Sequence, residues 1–344
     1  MKKFYLSKNY KEISSAGNKA KTDIEQILVE LGFKNAGIKQ TINKNNISGF
    51  FLTLISVLKL PFSISKDSIL VLQYPFKKYY NFACRMAHLR GCKVITVIHD
   101  LGTFRRQRLT AAQEIKRLSF SDFLIVHNRF MEKWLSDQGY RNPMTCLEIF
   151  DYLSKTLPLD HKIPDIPCQV IYAGGLSYKK NRFLYALDTY ISKWYFNLYG
   201  SGFEKDRIKN KDCFNYLGFV PSDQLIATAQ GDYGLVWDGE SITTCSGNFG
   251  EYLKYNNPHK MSLYIRCHLP VIIWKQAALA SFVEKNGIGI CINSLQDLKE
   301  IIPSVSRNEY VVMKENTIKI SERLSTGYYL KHALNHIEKR LEKE

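Results

Sequence analysis

Tyr252-Leu253-Lys254-Tyr255-Asn256-Asn257-Pro258-His259-Lys260-Met261-Ser262-Leu263-Tyr264 leads into Leu269-Pro270-Val271-Ile272-Ile273. Pro258 suits a helix start, because its ring presets φ and the N–H it lacks would find no partner there anyway. The pattern predicts a helix over 259–267 and a short buried strand over 270–274. A helix feeding a short apolar strand is the repeating unit of a parallel sheet.

The same rhythm extends in both directions. Strands are expected at 3–6, 69–74, 93–98, 123–126 and 145–149, with helices at 19–31, 77–89 and 130–138. The segment 151–167 interrupts it with Pro158, Pro164 and Pro167 and reads as a linker. Strands resume at 169–172, 194–199, 214–216, 234–237, 270–274 and 289–292. Helices are expected at 223–229, 259–267, 277–285, 295–302 and 309–322, and a last one from 327 to about 342. The predicted fold is α/β: two Rossmann-like doubly wound domains, 1–155 and 168–324, with a ligand cleft between them. The C-terminal helix, 325–344, stands apart from both domains, with a crossing back to the first as the course considered for it. Ligands of such sheets bind beyond the carboxyl ends of the strands.

Composition narrows the class. The apolar share is 45%, as in a folded protein. The two lysines near the N-terminus have no long apolar run behind them, so a signal peptide is not expected. The longest apolar run, 50–58, ends at Lys59 and Pro61, short of the roughly 18–20 residues a membrane span needs. Eight scattered cysteines without C-x-x-C signal neither zinc nor a disulfide framework. Free thiols in a cytoplasmic protein are the expectation. Net charge is +16, of which residues 1–160 carry +12, from 25 Lys and Arg against 13 Asp and Glu. That asymmetry suits an anionic partner. No helix-turn-helix, RRM or zinc finger accompanies it, so nucleic acid is not the expected partner. The run at 50–58, between Lys44 and Lys59, is read first as a core helix. The basic half still leaves peripheral contact with an anionic membrane as an expectation.

Candidate site residues follow the strand ends. Gly174-Gly175, with Lys179 after them, and Gly200-Ser201-Gly202 read as glycine turns that let backbone approach a phosphate. Phe219 and Val220, after Gly218, could hold a flat base. Asn257, His259, Lys260 and Ser262 cluster at a helix start, where a lysine beside unpaired N–H groups suits a diphosphate. In the first half, His99 and Asp100 end the strand 93–98, and either could accept a proton from a hydroxyl. Ser15, Ala16, Gly17 and Asn18 form a small-residue turn into a helix. No Asp-x-Asp occurs; Asp238-Gly239-Glu240 reads as a loop without a third ligand, so no metal site is expected. His332 and His336 read as surface positions.

Several of these segments carry a resemblance: Ser15 to Lys21 with Asp23, Ile98-His99-Asp100, the stretch from Tyr252 to Ser262, and Leu269 to Ile273. The chain resembles a bacterial family of GT-B glycosyltransferases that includes β-1,6-galactofuranosyltransferases of O-antigen assembly. It is more distantly similar to the glucosyltransferase that extends glycans on serine-rich adhesins. The resemblance implies a UDP-sugar held by the second domain and a lipid-linked or other glycan acceptor held by the first, at Ser15, Ala16, Gly17 and Asn18. It also implies metal-independent inverting transfer without a tightly bound cofactor. Retaining GT-B families carry a glutamate seven residues before the proline of the last motif; here Leu263 stands there, and Tyr255 stands at their earlier glutamate. Inversion then needs a base, for which Asp100 is the candidate and His99 the alternative. The competing readings are a UDP-glucose donor, a sugar-nucleotide epimerase of the same fold, and a non-catalytic partner of a transferase. Homo-oligomers fit any of them.

Overall fold

The computed structural model describes residues 1–10, 16–42, 45–76, 79–105, 107–159, 163–166 and 168–343, with backbone only at 16, 17 and 46. The chain divides into two compact units: Met1–Asp151 with Gly327–Glu344, and Tyr152–Thr326.

The first unit contains β1 (Lys3–Tyr5), β2 (Asn9–Tyr10), α1 (Ala16–Glu30), β3 (Lys34–Asn35), β4 (Thr41–Ile42), α2 (Asn46–Ser63), β5 (Ile69–Tyr74), α3 (Tyr80–His88) and β6 (Lys93–Ile98). It continues with α4 (Ala111–Leu118), β7 (Phe123–Val126), α5 (Arg129–Asp137) and β8 (Met144–Cys146). Its main sheet has six strands in the order β3-β1-β5-β6-β7-β8, and all its pairs are parallel. β5 is buried at every position, as a strand covered on both faces must be. β2 and β4 form a separate parallel pair.

The second unit contains β9 (Gln169–Gly175), α6 (Phe183–Ala186), β10 (Tyr195–Ser201), β11 (Phe214–Gly218), α7 (Ser222–Thr228), β12 (Tyr233–Val236) and α8 (Gly247–Glu251). After these come α9 (His259–Arg266), β13 (Val271–Trp274), α10 (Ala280–Asn286), β14 (Gly289–Ile292), α11 (Leu298–Ser304) and α12 (Arg307–Ser325). The sheet order is β11-β10-β9-β12-β13-β14, again parallel throughout. The chain builds outward from β9 to β11, then returns to the other side of β9, so the topological switch lies between β9 and β12.

The last helix, α13 (Tyr328–Leu341), groups with the first unit. Asp151 is the reason: its carboxylate accepts from the N–H groups of Tyr329 and Leu330 at 3.1 and 2.8 Å, capping the helix start. Lys331 also pairs with Glu30 of α1, and Glu338 with Lys3 of β1. The proline-rich stretch begins as part of the second unit. Buried Arg266 donates through Nη2 to the carbonyls of Ser154 and Thr156 at 2.9 and 3.2 Å, and through Nη1 to Ser321 Oγ at 2.8 Å.

Two expectations change. The glycines at the ends of β9 and β10 are not turns: both strands stay paired through them, Gly200 against Gly174 and Ser201 against Gly175. Nor is the run at 50–58 a core helix; it lies inside α2, one face of which is exposed. All eight cysteines are free. Among the described residues no helix is long and apolar enough to cross a membrane.

Candidate functional site

The second unit gathers its polar groups at the switch between β9 and β12. Gly200 has φ 141°, and a Cβ there would fall 1.8 Å from the carbonyl oxygen of Gly174. Only glycine lets the two strand ends run this close, which leaves backbone accessible beyond them.

α9 is set against this edge by Tyr264, whose phenol oxygen accepts from Ala173 N at 2.8 Å. One helical turn earlier, Lys260 Nζ donates to Tyr172 Oη at 2.9 Å, to Asp238 Oδ1 at 2.9 Å and to the carbonyl of Trp237 at 3.2 Å. The ammonium therefore bridges β9, through Tyr172, to the segment that follows β12. It also lies over the Tyr172 ring, 4.2 Å from the centroid, a cation–π contact. Burial pushes the Lys260 ammonium below the ordinary lysine range; Asp238 opposes that shift and nearby Lys180 adds to it. Two cations thus stand within electrostatic reach of one another with a single carboxylate paired to one of them, an arrangement suited to a further anion.

Lys180 was not expected here. It is half-buried, its stem lies across Gly175, and its ammonium sits 5.7 Å from the centre of the Phe249 ring. Lys179, the expected residue, is exposed. Adjacent residues in a tight turn point different ways, and sequence alone does not reveal which one turns inward. Asp238, an ordinary loop residue by its sequence, is the counterion of Lys260, and Glu240 is exposed. Among the described residues no group of three or more His, Cys, Asp or Glu could hold a metal ion.

The remaining expected residues are dispersed. Asn257 is buried and Ser262 wholly so, with 0% exposure, so the Ser262 hydroxyl does not face solvent beside Lys260. His259 is half-buried and stacks on Tyr152 at 4.8 Å. Phe219 is 61% exposed, and Val220 is half-buried. They follow β11, whose Tyr216 hydroxyl donates to the Gly200 carbonyl at 3.1 Å. Gly202 continues the backbone past β10 with φ 84°.

In the first unit, His99 and Asp100 follow β6, beside the end of β5. His99 Nε2 lies 2.7 Å from Gln73 Oε1. Gln73 donates through Nε2 to the carbonyl of Lys21 at 3.2 Å, so its oxygen faces the histidine and His99 Nε2 carries the proton. The imidazole also stacks on Phe150 at 5.5 Å, and His127 meets the same ring edge-on at 4.9 Å. Burial holds His127 neutral, with its pKa lowered to about 3. Asp100 lies 3.8 Å from Arg105. The loop beyond it is tied down by a residue that no motif announced. Buried Glu114 of α4 accepts from Gly102 N at 3.0 Å, from Thr103 N and Oγ1 at 2.7 Å, and from the Tyr74 hydroxyl at 2.7 Å.

Of the expected acceptor residues, Ser15 lies outside the described residues, while Ala16, Gly17 and Asn18 form the first turn of α1. The same helix carries buried Glu25, which accepts from Ser7 Oγ at 2.7 Å and Tyr10 Oη at 2.5 Å. Burial raises its pKa to about 7, against the lowering effect of those two hydrogen bonds. Glu25 lines a cavity of about 230 Å³ with Tyr5, Thr22, Asp23, Gln26 and Gln40.

Comparison with known proteins gives a consistent answer. Residues 3–149 match a family described as glucosyltransferase 3-like, N-terminal domain, and residues 170–337 match its C-terminal domain. The chain is 33% identical over 328 residues to the β-1,6-galactofuranosyltransferase WbbI of Escherichia coli, covering 94% of each chain. It is 26% identical over 247 residues to glucosyltransferase 3 of Streptococcus gordonii, covering 70% of each. Among solved structures it is similar to HepE of Anabaena in complex with UDP, with a TM-score of 0.63 at 14% identity and 100% of both chains covered. At that identity the likeness speaks for the fold, which is GT-B.

Proposed function

Because the chain belongs to the glucosyltransferase 3-like family of glycosyltransferases, we propose that it moves a sugar from a UDP-sugar to a glycan acceptor in the synthesis of a bacterial surface polysaccharide. Galactofuranose is the donor sugar favoured by the 33% identity to the E. coli galactofuranosyltransferase. UDP-glucose is the second reading, because the S. gordonii relative is a glucosyltransferase.

One observation carries the donor side: Lys260 held by Tyr172 and Asp238 at the β9–β12 switch. There the donor diphosphate meets Lys260, Lys180 and the backbone of Gly174 and Gly175, which buried Gly200 lets run close beside β10. The acceptor hydroxyl attacks the anomeric carbon as the bond to the UDP oxygen breaks. Its proton passes to Asp100, and charge growing on the leaving diphosphate is met by the preplaced lysines. Glu114, by fixing the loop after Asp100, holds that carboxylate in place. Transfer inverts the anomeric centre, consistent with Leu263 and Tyr255 where retaining families have glutamates.

Release of UDP, measured over a panel of UDP-sugars with and without glycan acceptors, tests this. UDP-galactofuranose with acceptor is expected to turn over fastest. Conversion of the donor alone to another sugar nucleotide would make the protein an epimerase instead.

A further inference from the structure

α2 presents two contrasting faces. Ser56 and Leu60 are wholly buried and Val57 nearly so. Ser56 Oγ donates to the Ser7 carbonyl at 2.8 Å and accepts from Ile38 N at 3.2 Å, fastening the helix to its unit. The other face carries Ile47, Phe51, Ile55, Leu58 and Phe62, which are 70, 55, 50, 52 and 88% exposed. Successive helical residues turn by about 100°, so these five fall within an arc of about 80° and form a ridge about 22 Å long. A continuous apolar ridge in water marks a contact surface.

Lys59 and the charge of the flanking sequence point to the partner. α2 has no acidic residue, and its one charged side chain, Lys59, is exposed beside the ridge. From residue 34 to residue 93 the sequence holds ten Lys or Arg and one acid, Asp67. A second copy of this chain would bring the same positive charge to the contact and be repelled. A bilayer with anionic lipid offers both an apolar layer for the ridge and phosphates for the cations.

We propose that α2 lies flat in the interface of an anionic membrane, with Ile47, Phe51, Ile55, Leu58 and Phe62 among the acyl chains. The stem of Lys59 runs along that boundary and its ammonium reaches the headgroups.

Sedimentation of the full chain with phosphatidylcholine vesicles, with and without phosphatidylglycerol, tests the proposal. Wild type is expected to bind only the anionic vesicles and to be released by salt. The triple variant Phe51→Ser, Ile55→Ser, Phe62→Ser removes exposed side chains and is expected to lose about a hundredfold or more in partitioning, with an unchanged circular dichroism spectrum. Phe62→Trp provides a reporter that does not depend on the triple variant folding: its emission should shift to the blue with anionic vesicles. Absence of wild-type binding, wild-type binding by a folded triple variant, or no blue shift would each overturn it. So would a wild-type dimer that the triple variant dissolves while vesicles leave the reporter unmoved.

Discussion

The Lys260 ammonium lies 2.9 Å from Oδ1 of Asp238, and the same atom receives a hydrogen bond from the Tyr172 hydroxyl at 3.0 Å. Removing one charge strands the other away from water, whereas removing both does not. Asp238→Asn and Lys260→Met are each expected to cost about 1–3 kcal/mol in stability, and the double variant less than their sum. Chemical denaturation of the four proteins measures the coupling. Additive losses would show that the pair contributes nothing as a pair.

Lys260 also bears on the donor. Calorimetry with UDP is expected to show a loss of about 1–3 kcal/mol for Lys260→Ala, the scale of a charge-assisted contact. Lys180→Ala should weaken UDP as well, and Lys179→Ala much less, since Lys179 is exposed. The reverse order would return Lys179 to the site.

Asp100→Asn keeps the shape of the side chain and removes its basicity. Turnover is expected to fall by about 10²–10⁴-fold, with UDP affinity near wild type. His99→Ala should cost less, because His99 Nε2 is engaged with Gln73. If His99→Ala abolishes turnover and Asp100→Asn does not, the histidine is the base.

With Asp238 committed to Lys260 and the diphosphate facing lysines, transfer is expected to proceed in excess EDTA. Loss of turnover on chelation, restored by Mg²⁺ or Mn²⁺, would make Asp238 and Glu240 ligands after all.

Stability should depend on pH through Glu25. Its folded pKa is raised from 4.5 to about 7 by burial, so between those values the folded state keeps a proton that the unfolded chain has released. The stability that this proton contributes is complete below about pH 4.5 and is lost as pH rises to 7. The full shift corresponds to at most about 3 kcal/mol. Glu25→Gln should flatten this part of the profile and stabilise the protein at pH 8. Asp151, raised from 3.8 to about 7, adds a parallel slope that the variant leaves in place. An unchanged profile for Glu25→Gln would place the ionised carboxylate comfortably in its pocket.

The strands at 69–74, 93–98 and 123–126 could be read residue for residue from the sequence, as β5, β6 and β7. Strands inside a covered parallel sheet are continuous apolar runs bounded by polar residues, and that signal is local. The ends of β9 and β10 are not legible in this way, because glycine signals a turn and a close strand approach equally well. Which applies depends on the neighbouring strand, far away in sequence.

The alternation of strands and helices, the parallel α/β class and Lys260 at a helix start were thus determined by the sequence itself, because each depends on residues within a few turns of one another. Tertiary structure decided the rest. Asp238 became a counterion only when the end of β12 came beside α9, 22 residues later in the chain. Glu114 became the anchor of the Asp100 loop only when α4 packed under it. Glu25 acquired a raised pKa by being enclosed with Ser7 and Tyr10, and α2 turned an apolar ridge outward because Ser56, Val57 and Leu60 had already taken the inner face. Burial, desolvation and pairing are properties of what surrounds a side chain, and for these residues the surroundings come from distant parts of the chain.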